Sequence, residues 1–558
     1  MAAPSGPDTA ELPAVKGGGD PGRPGWRRRA GSGAKGLARN RYVRIGAAAI
    51  VVGVMLGYGV RAAGPTLHAI GPPGDAHLSE VAVEDTVFRV QVDPASALDG
   101  AELRLDGMDV TGDARVVAGE IAYRPPELAE GTHSLELSVD RPFVPWPATK
   151  SWDFTIDRTR PTVTFDADSA RGRRGQPIRV QGELSEPATL IVGGQQVDTA
   201  GTSFALPFDE PPNETVVVSA IDRAGNVRGF EVPIAVEVRR PPEPVRSVHM
   251  SAASWAVPGL REPVLQLIDD GLITAVQLDL KDERGEVGYD SRVPLAKQIG
   301  AITGHYQLEE AVEEIHSRGA RVIGRVVAFR DPALARHAWA NGRPERVIQT
   351  PGGAQFAPSE GFVNFADPAV RKYNIAIAEE ASARGVDEIL YDYVRRPDGP
   401  LETMEFPGLR GGAQASVASF LGETREALEP HGAFLGASLF GVAATRPEEI
   451  AQNVDRIARN VDYVAPLVYP SGWARGEYDV PDPEGQPGAI VERSVRDFVE
   501  QAEGSGARVV PWLQDYSTAV RFDAGKIRAQ IEGARRAGVD EWIFWDPEVT
   551  YTAGGFTG

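Results

Sequence analysis

The stretch GVDEILYDYVRRP, Gly385 to Pro397, contains the pattern from which we predict the fold of the second half of the chain. A glycine ends the helical pattern before it, a short apolar run follows, and Asp392 is the first charged residue after that run. Glycine is the usual residue just beyond a helix end, and a short apolar run is typical of a buried strand. The same order returns as RAGVDEWIFWD, which ends at Asp546. The stretch therefore predicts a helix, a glycine turn and a strand that ends in a carboxylate.

This alternation of helix and strand extends over residues 245–558. Eight apolar runs separated by helical patterns are strand candidates, and they begin at Val245, Ile273, Ala320, Asp387, Ala433, Val461, Ala507 and Asp540. Eight strands alternating with helices predict a (β/α)8 TIM barrel. A doubly wound open sheet is the alternative, but no glycine-rich phosphate loop follows the first strand.

The chain ahead of the barrel has a different pattern. Short alternating runs separated by Gly, Pro and Asp turns occur over residues 78–157 and again over 158–238, and they predict two all-β sandwiches. The piece VSAIDRAGN, Val218 to Asn226, resembles the late-strand signature of bacterial immunoglobulin-like domains. That resemblance is close over the second region and looser over the first, and it implies spacer or binding modules. Residues 239–244 form a proline linker to the barrel.

The N-terminal segment predicts a membrane anchor. Residues 1–41 are rich in Gly, Pro, Ala and Arg without periodicity, which is typical of a disordered tail. An uncharged, mostly apolar run follows, so residues 42–61 are predicted to be a transmembrane signal-anchor and residues 62–77 a spacer. The basic flank would remain cytoplasmic, which leaves the later domains outside the cell membrane. A cleaved signal peptide is the alternative, but there is no clear A-x-A site.

Composition argues against several classes of function. The net charge is −20, and residues 1–44 carry an excess of six positive charges, so the remainder is close to −26 and is a poor binder of nucleic acid. The absence of cysteine excludes disulfides and thiolate metal sites. The eight histidines are scattered, and no zinc-binding, nucleophile-elbow or P-loop motif occurs. We therefore expect neither a metal nor an organic cofactor.

In a TIM barrel the active site lies at the C-terminal ends of the strands. Asp279 and Lys281 share the polar face of the second strand, and we expect them to point into the barrel as substrate contacts or as an internal salt bridge. Asp392 ends the fourth strand, where Arg395 would keep it ionised as a nucleophile requires. A helix cap or a loop ion pair is the alternative role for Asp392. His249, in the first strand, is expected to be a core or rim residue.

The last three strands end in aromatic residues beside polar ones. Tyr469 and Trp473 follow the sixth strand, Trp512 lies in the seventh and Trp545 in the eighth. Aromatic rings stack on the C–H faces of sugars, although buried Trp and Tyr are also common core residues. These four residues are predicted to be sugar-binding platforms.

Residues 245–555 resemble the family of proposed glycoside hydrolases with a TIM-barrel domain that was once catalogued as a domain of unknown function. The matching pieces are VQLDLKDERGEVGYDS, RVIGRVVAFRDP, NFADPAVRKYNIAIAEEA, GVDEILYDYVRRP, VAPLVYPSGW and EWIFWDP. The resemblance implies hydrolysis of a glycosidic bond. By analogy with related barrels it favours Asp392 as the nucleophile or base.

Glycoside hydrolysis needs a second carboxyl group, whose identity the sequence leaves open. The fifth and sixth strands offer none at their ends, so we expect the acid to be Asp546, then Asp515, with Asp279, Asp282 and Glu548 as further alternatives. The predicted function is an anchored extracytoplasmic hydrolase of a cell-wall or extracellular polysaccharide. The alternative is a non-catalytic carbohydrate-binding or envelope scaffold protein that lacks a working acid.

Overall fold

The computed structural model describes residues 64–142, 144–356 and 361–557. The predicted tail over 1–41 and the predicted anchor over 42–61 lie outside these residues. Within the described residues, no helix combines the length and the apolar character needed to cross a membrane.

The chain divides into two compact units. Among the described residues, the first unit combines 64–76 with Thr86–Glu127 and Thr132–Phe154. The second unit combines His77–Asp85 and Leu128–Gly131 with the chain from Thr155 onward. The domain boundaries expected from the sequence stay a prediction.

The first unit consists mainly of antiparallel strands in two sheets. One sheet has the spatial order Thr66–Gly71, Phe88–Asp93, Glu120–Tyr123 and Arg115–Val117. The other has the order Ala148–Ile156, Gly131–Val139, Ala101–Leu105 and Met108–Asp109. Alternate residues of Phe88–Asp93 are buried, which is the pattern of a strand with one face on a core.

The second unit begins with another pair of antiparallel sheets. One has the order Val163–Phe165, Ile178–Leu184, Ser203–Phe208 and Thr199–Ala200, and the other has the order Gln195–Val197, Ala188–Val192, Val217–Asp222 and Val227–Glu231. Arg171–Gly172 and Ala235–Val236 form a short parallel pair. One hydrophobic cluster contains Val180 and Leu206 from the first sheet and Leu190 and Val218 from the second. The sheets thus form a sandwich around one core, and its immunoglobulin-like identity stays a prediction.

The rest of the second unit is a closed barrel, as predicted. Eight parallel strands form the barrel within the described residues between 246 and 545. They are β1 Arg246–Met250, β2 Ala275–Lys281, β3 Arg321–Val327, β4 Glu388–Asp392, β5 Phe434–Phe440, β6 Tyr463–Leu467, β7 and β8 Trp542–Trp545. Strand β7 consists of two segments, Arg508–Val509 and Trp512–Gln514. Strands that follow each other in sequence pair in parallel, and β1 pairs with both β2 and β8. The last pairing closes the sheet.

Helices surround the barrel. The long ones are α1 Pro258–Asp269, α2 Leu308–His316, α3 Pro368–Ala383, α4 Ala413–Leu428, α6 Pro487–Gln501 and α7 Ala524–Arg536, and α5 is the short helix Val454–Ala458. Further short elements of the barrel region are the helices Ala252–Trp255, Pro294–Gln298 and Pro332–Ala340 and the strands Val287–Tyr289 and Ile302–Tyr306. The short strand His77–Leu78 and the helix Glu80–Asp85 lie before the barrel, in the β-rich part of the chain. Asp367 caps α3 and Asp523 caps α7, because each carboxylate accepts a hydrogen bond from a backbone N–H of the first turn.

The barrel interior is packed with side chains that point inward from the strands. This inner cluster contains Val245, Ala275, Ile323, Leu390, Phe434, Tyr463, Ala465, Val510, Trp512 and Ile543. It fills the barrel, as expected for eight strands, and forms the floor beneath the C-terminal mouth.

Arg174 of the sandwich contacts the barrel within the second unit. Its guanidinium donates hydrogen bonds to the backbone carbonyls of Ala458 at 3.0 Å, Val461 at 3.1 Å and Ser505 at 2.7 Å. It also donates to the carbonyl of Arg459. Three of these carbonyls lie at or just beyond the end of α5, where carbonyls lack partners within the helix.

Candidate active site

Side chains from all eight strands or their ends meet at the C-terminal mouth of the barrel. The side chains from β1 to β4 are His249, Asp279, Arg325 and Asp392, which we call the polar arc. Those from β5 to β8 are Phe440, Tyr469, Trp512 and Trp545, which we call the aromatic arc. The two halves of the barrel thus present different chemistry to the same opening.

Arg325 is the centre of the polar arc. Its Nη1 donates to Asp279 Oδ1 at 2.8 Å, and its Nε and Nη2 donate to Asp392 Oδ2 at 3.0 and 2.6 Å. Nη2 also donates to Glu283 Oε1, from the loop after β2. Burial alone would lower the pKa of Arg325, but these carboxylates outweigh it and raise that pKa well above its ordinary range. One guanidinium therefore holds three carboxylates.

Asp279 is fixed and ionised beneath the mouth. Burial would raise its pKa, but the charges of Arg325 and His249 lower the pKa of Asp279 to about 2. His249 Nε2 lies 3.1 Å from Asp279 Oδ1, and the Tyr306 hydroxyl donates to the Asp279 backbone carbonyl at 2.9 Å. Asp279 lies in the barrel interior, as expected, but only 3% of it is exposed, so its contacts are with protein groups.

Asp392 ends β4 and has both carboxylate oxygens bonded. Oδ2 accepts from Arg325, and Oδ1 accepts from the Tyr393 backbone N–H at 2.7 Å. The predicted contact with Arg395 was wrong. Because the chain turns at Tyr393, which has a φ of 48°, Arg395 follows another path and its guanidinium stacks on Phe440 at 4.1 Å. The cation beside Asp392 is Arg325, from the neighbouring strand.

Lys281 does not point into the barrel, and this expectation was also wrong. The register between β2 and β3 shifts between Asp279 and Lys281, which is a β-bulge at Leu280. An extra residue reverses the side-chain alternation, so Lys281 leaves the face of Asp279. It is fully buried, with Nζ 2.9 Å from Asp331 Oδ2 and 2.7 Å from Asn374 Oδ1 of α3.

A cavity of about 290 Å³ lies between the two arcs. Glu283, Arg325 and Asp392 supply its charged wall. The remaining lining residues are Tyr393, Phe440, Gly441, Val442, Leu467, Tyr469, Gly472, Trp473, Trp512 and Trp545. The structure thus brings all four predicted sugar platforms to the cavity of Asp392.

The aromatic wall is held by its own contacts. Tyr469 stacks on Trp545 with 5.5 Å between ring centroids and 27° between planes. Trp512 Nε1 donates to Ser438 Oγ at 3.1 Å, which fixes the orientation of the indole. The wall therefore presents preformed ring surfaces.

Residues 247–551 match the family model described as "Putative glycosyl hydrolase domain". The chain belongs to this family. The match covers all eight strands of the barrel except Arg246, the first residue of β1. The resemblance seen in the barrel sequence is therefore confirmed.

Several solved structures are similar to this family member. A hypothetical protein from Ruminiclostridium thermocellum ATCC 27405 is 28% identical, with a TM-score of 0.30, over 34% of this chain and 96% of that one. The glycoside hydrolase domain of PgaB (BpsB) from Bordetella bronchiseptica is 15% identical, with a TM-score of 0.42, over 55% of this chain and 95% of that one. The endo-1,4-beta-D-mannanase from Thermotoga petrophila RKU-1 is 12% identical, with a TM-score of 0.37, over 54% of this chain and 88% of that one. No curated protein matches the chain.

The sequence analysis did not identify Glu283, which the structure places at this cavity. Its side chain is 38% exposed and lines the cavity beside Asp392. Burial and Asp279 would raise the pKa of Glu283, but Arg325 lowers it. Glu283 and Asp392 both accept a hydrogen bond from Nη2 of Arg325. Two oxygens that accept from the same nitrogen, each at about 3 Å, are within about 6 Å of each other. In the sequence Glu283 looked like an ordinary turn residue in LKDERGE.

The two acids that the sequence favoured are not among the residues that line this cavity. Asp515 Oδ2 accepts from the Thr552 N–H at 2.7 Å, and Asp546 Oδ1 accepts from the Glu548 N–H at 2.7 Å. Burial, with a smaller effect of the Asp546 charge, raises the pKa of Asp515 to about 6. Burial also raises the pKa of Asp546. Both carboxyl groups are bonded to the segment that follows β8.

The alternative acid Asp282 shapes the loop after β2. Its Oδ1 accepts from the backbone N–H groups of Arg284 at 3.0 Å and Glu286 at 2.9 Å. The same loop borders a second cavity, of about 260 Å³, whose lining includes Asp279, Asp282 and Glu283. Glu283 therefore borders both cavities.

The described part of the chain contains one group of three carboxylates close enough to share a cation, and it lies in the sandwich. Ligand atoms of Asp157, Glu186 and Asp222 lie within 4.8 Å of one another. Both oxygens of Asp222 already accept hydrogen bonds from Asn226. This group contributes nothing to the barrel mouth.

Proposed function

We propose that the barrel hydrolyses a glycosidic bond of a polysaccharide in the cavity between the two arcs. The observation that carries this proposal is the opposition of two carboxylates, Asp392 and Glu283, to a wall of aromatic rings. Aromatic faces suit the C–H faces of a sugar ring, and paired carboxylates perform most glycoside hydrolysis. Membership of the glycosyl hydrolase family supports the same reaction class.

Asp392 is the proposed nucleophile. Arg325 and the Tyr393 N–H hold its carboxylate, which would attack the anomeric carbon while the glycosidic C–O bond breaks. Glu283 would give its proton to the leaving oxygen and later take one from the water that hydrolyses the glycosyl-enzyme. A separation within about 6 Å suits this retaining reaction, which uses about 5–5.5 Å, whereas inversion uses about 6.5–9.5 Å.

Glu283 must carry a proton when it acts as the acid. In the free site Arg325 lowers its pKa. If Glu283 turns from Arg325 toward the glycosidic oxygen, burial and the charge of Asp279 remain, and both raise the pKa of Glu283. We therefore expect the site to take up a proton when substrate binds.

The second candidate function is carbohydrate binding without hydrolysis. It is favoured by the lowered pKa of Glu283 and by the location of Asp515 and Asp546, whose pKa values are raised, away from the lining of the cavity. A barrel of this kind would hold a glycan on its aromatic arc without supplying a proton.

The variants Asp392→Asn and Glu283→Gln test the hydrolase. Cell-wall and extracellular polysaccharides are incubated with the full chain, new reducing ends are measured, and binding is measured by calorimetry. We expect each variant to bind as the wild type does and to lose at least about 1,000-fold in kcat. A substrate that yields a retained anomer by NMR supports the mechanism. A wild-type chain that binds glycans but releases no reducing ends supports the second function.

The cellular setting is a separate part of the proposal. Residues 42–61 would anchor the chain, with the β-rich regions as spacers between the membrane and the barrel. Fractionation of cells that express the full chain and a variant without residues 1–61 tests this location. We expect the full chain in the membrane fraction and its barrel accessible to external protease.

A further inference from the structure

The polar arc runs diagonally across four adjacent strands. His249 on β1 is opposite Gln277, two residues before Asp279 on β2. Asp279 is directly opposite Arg325 on β3. Asp392 on β4 is opposite Val327, two residues beyond Arg325. From β1 to β4, each member therefore lies at the same height along the barrel axis as the one before it or closer to the mouth.

Hydrogen bonds join the four members without a gap. The links are His249 Nε2 to Asp279 at 3.1 Å, Asp279 to Arg325 Nη1 at 2.8 Å, and Arg325 Nη2 to Asp392 at 2.6 Å. Each member is at most 7% exposed, so water competes little with these bonds. Charged hydrogen bonds are strong and directional in such surroundings.

We propose that His249 and Asp279 are positioning residues for Asp392 and act through Arg325. Asp279 holds the Nη1 side of the guanidinium, which directs the Nε and Nη2 groups toward Asp392. His249 Nε2 donates to the same oxygen, Oδ1, that accepts from Arg325, and so holds Asp279 in place. The inference rests on the proposed function, because it assigns these residues to the orientation of the nucleophile.

The surroundings of His249 define which nitrogen acts. Nε2 faces the anionic Asp279 and therefore carries the donated proton. The imidazole lies beside Trp512, with 6.0 Å between ring centroids, and the Tyr551 hydroxyl donates to the His249 backbone carbonyl. Nδ1 has no hydrogen-bond partner among the described residues. The His249 side chain therefore orients Asp279 only through the hydrogen bond from Nε2.

The test compares His249→Leu, which removes the bond, with His249→Gln, whose side-chain amide offers a donor at a similar reach. His316→Leu is the matched control, because His316 forms the same kind of pair with Asp387 at 2.8 Å outside the mouth. The first readout is the solvent exchange of the Arg325 Nε–H in the full chain, followed by NMR and assigned through Arg325→Lys. We expect exchange to be about tenfold faster in His249→Leu and unchanged in the other two.

The second readout is kinetic and uses whichever polysaccharide the wild-type chain hydrolyses. We expect His249→Leu to lower kcat about 10- to 100-fold with little change in KM, and His249→Gln to restore most of it. Unchanged Arg325 exchange in His249→Leu would overturn the inference, as would equal kcat losses in the Leu and Gln variants. If the wild type hydrolyses nothing, the proposed function fails, but the exchange comparison still decides whether His249 orders Arg325.

Discussion

Arg325 determines the charge state of the barrel mouth because it is bonded to Asp279, Glu283 and Asp392 together. A single positive charge among three carboxylates leaves the group net negative. Arg325 therefore helps to keep Asp279 ionised, and Glu283 is the most exposed of the three carboxylates. Such differences in environment between like residues are common at catalytic sites.

Single-residue roles were only partly predictable from the sequence. Strand ends identified Asp392 and the aromatic residues that the structure places on one cavity, although their roles stay predictions. Arg325 was visible as a charge within RVIGRVV, two residues beyond the inward-facing Ile323. The alternation of a strand gives the face of a residue but not its partner on the next strand. The hydrogen bond from Arg325 to Asp392 therefore could not be predicted from the sequence.

Asp515 provides a prediction at this scale. In the folded chain burial raises its pKa from 3.8 to about 6, so the ionised form destabilises the fold. Below about pH 4 the group is protonated in both folded and unfolded chains and costs nothing, whereas above about pH 6 the cost reaches about 3 kcal/mol. Asp515→Asn keeps an acceptor for the Thr552 N–H. We expect it to raise the free energy of unfolding at pH 7.5 by up to about 3 kcal/mol.

Urea unfolding at pH 7.5 and pH 4 measures this difference. Asp540→Asn is the control, because the Asp540 side chain is 75% exposed, and it should change little at either pH. A gain for Asp515→Asn that is equal at both pH values would contradict the assignment to ionisation.

Among the elements, β2 differs most from its predicted geometry. A regular strand would place Lys281 on the face of Asp279, but the bulge at Leu280 turns it toward α3 and the helix Pro332–Ala340. A bulge adds one residue without a distinctive local pattern, so the sequence could not reveal it. The bulge makes room for two separate charge groups, one inside the barrel and one outside.

The outer charge group yields the second prediction. Lys281 and Asp331 are both fully buried and 2.9 Å apart. Lys281→Met leaves the Asp331 charge buried without its partner, and we expect a loss of about 3–5 kcal/mol. Asp331→Asn removes that charge but keeps the Oδ1 acceptor that caps the helix through the Leu334 N–H. The double variant should therefore lose less than the sum of the two single variants.

A double-mutant cycle by urea unfolding at pH 7 measures the coupling. Additive losses would mean that Lys281 is retained for its packing rather than for its bond to Asp331. The exposed pair of Arg535 and Asp540 serves as the control cycle, where we expect a coupling of at most about 1 kcal/mol.

The arrangement of the second unit depends on contacts between segments that are distant in sequence. The order of the eight barrel strands followed from local alternation of strands and helices, because each unit of that pattern lies beside the next. The contact of Arg174 with the barrel joins residues about 290 positions apart and has no local signal. For this reason the sequence predicted only a proline linker between the sandwich and the barrel.

Arg174 gives the prediction at the scale of the whole molecule. Its guanidinium satisfies carbonyls at the end of α5 and at Ser505, and hydrogen bonds to charged groups are worth about 1.5–3 kcal/mol each. We expect Arg174→Ala to accelerate amide hydrogen exchange about 10- to 100-fold in α5 and in the neighbouring sandwich strands, measured by mass spectrometry on the full chain. Arg173→Ala is the matched control, because the Arg173 side chain is 68% exposed and bonded to Glu237. If both variants exchange like the wild type, Arg174 does not hold the sandwich to the barrel.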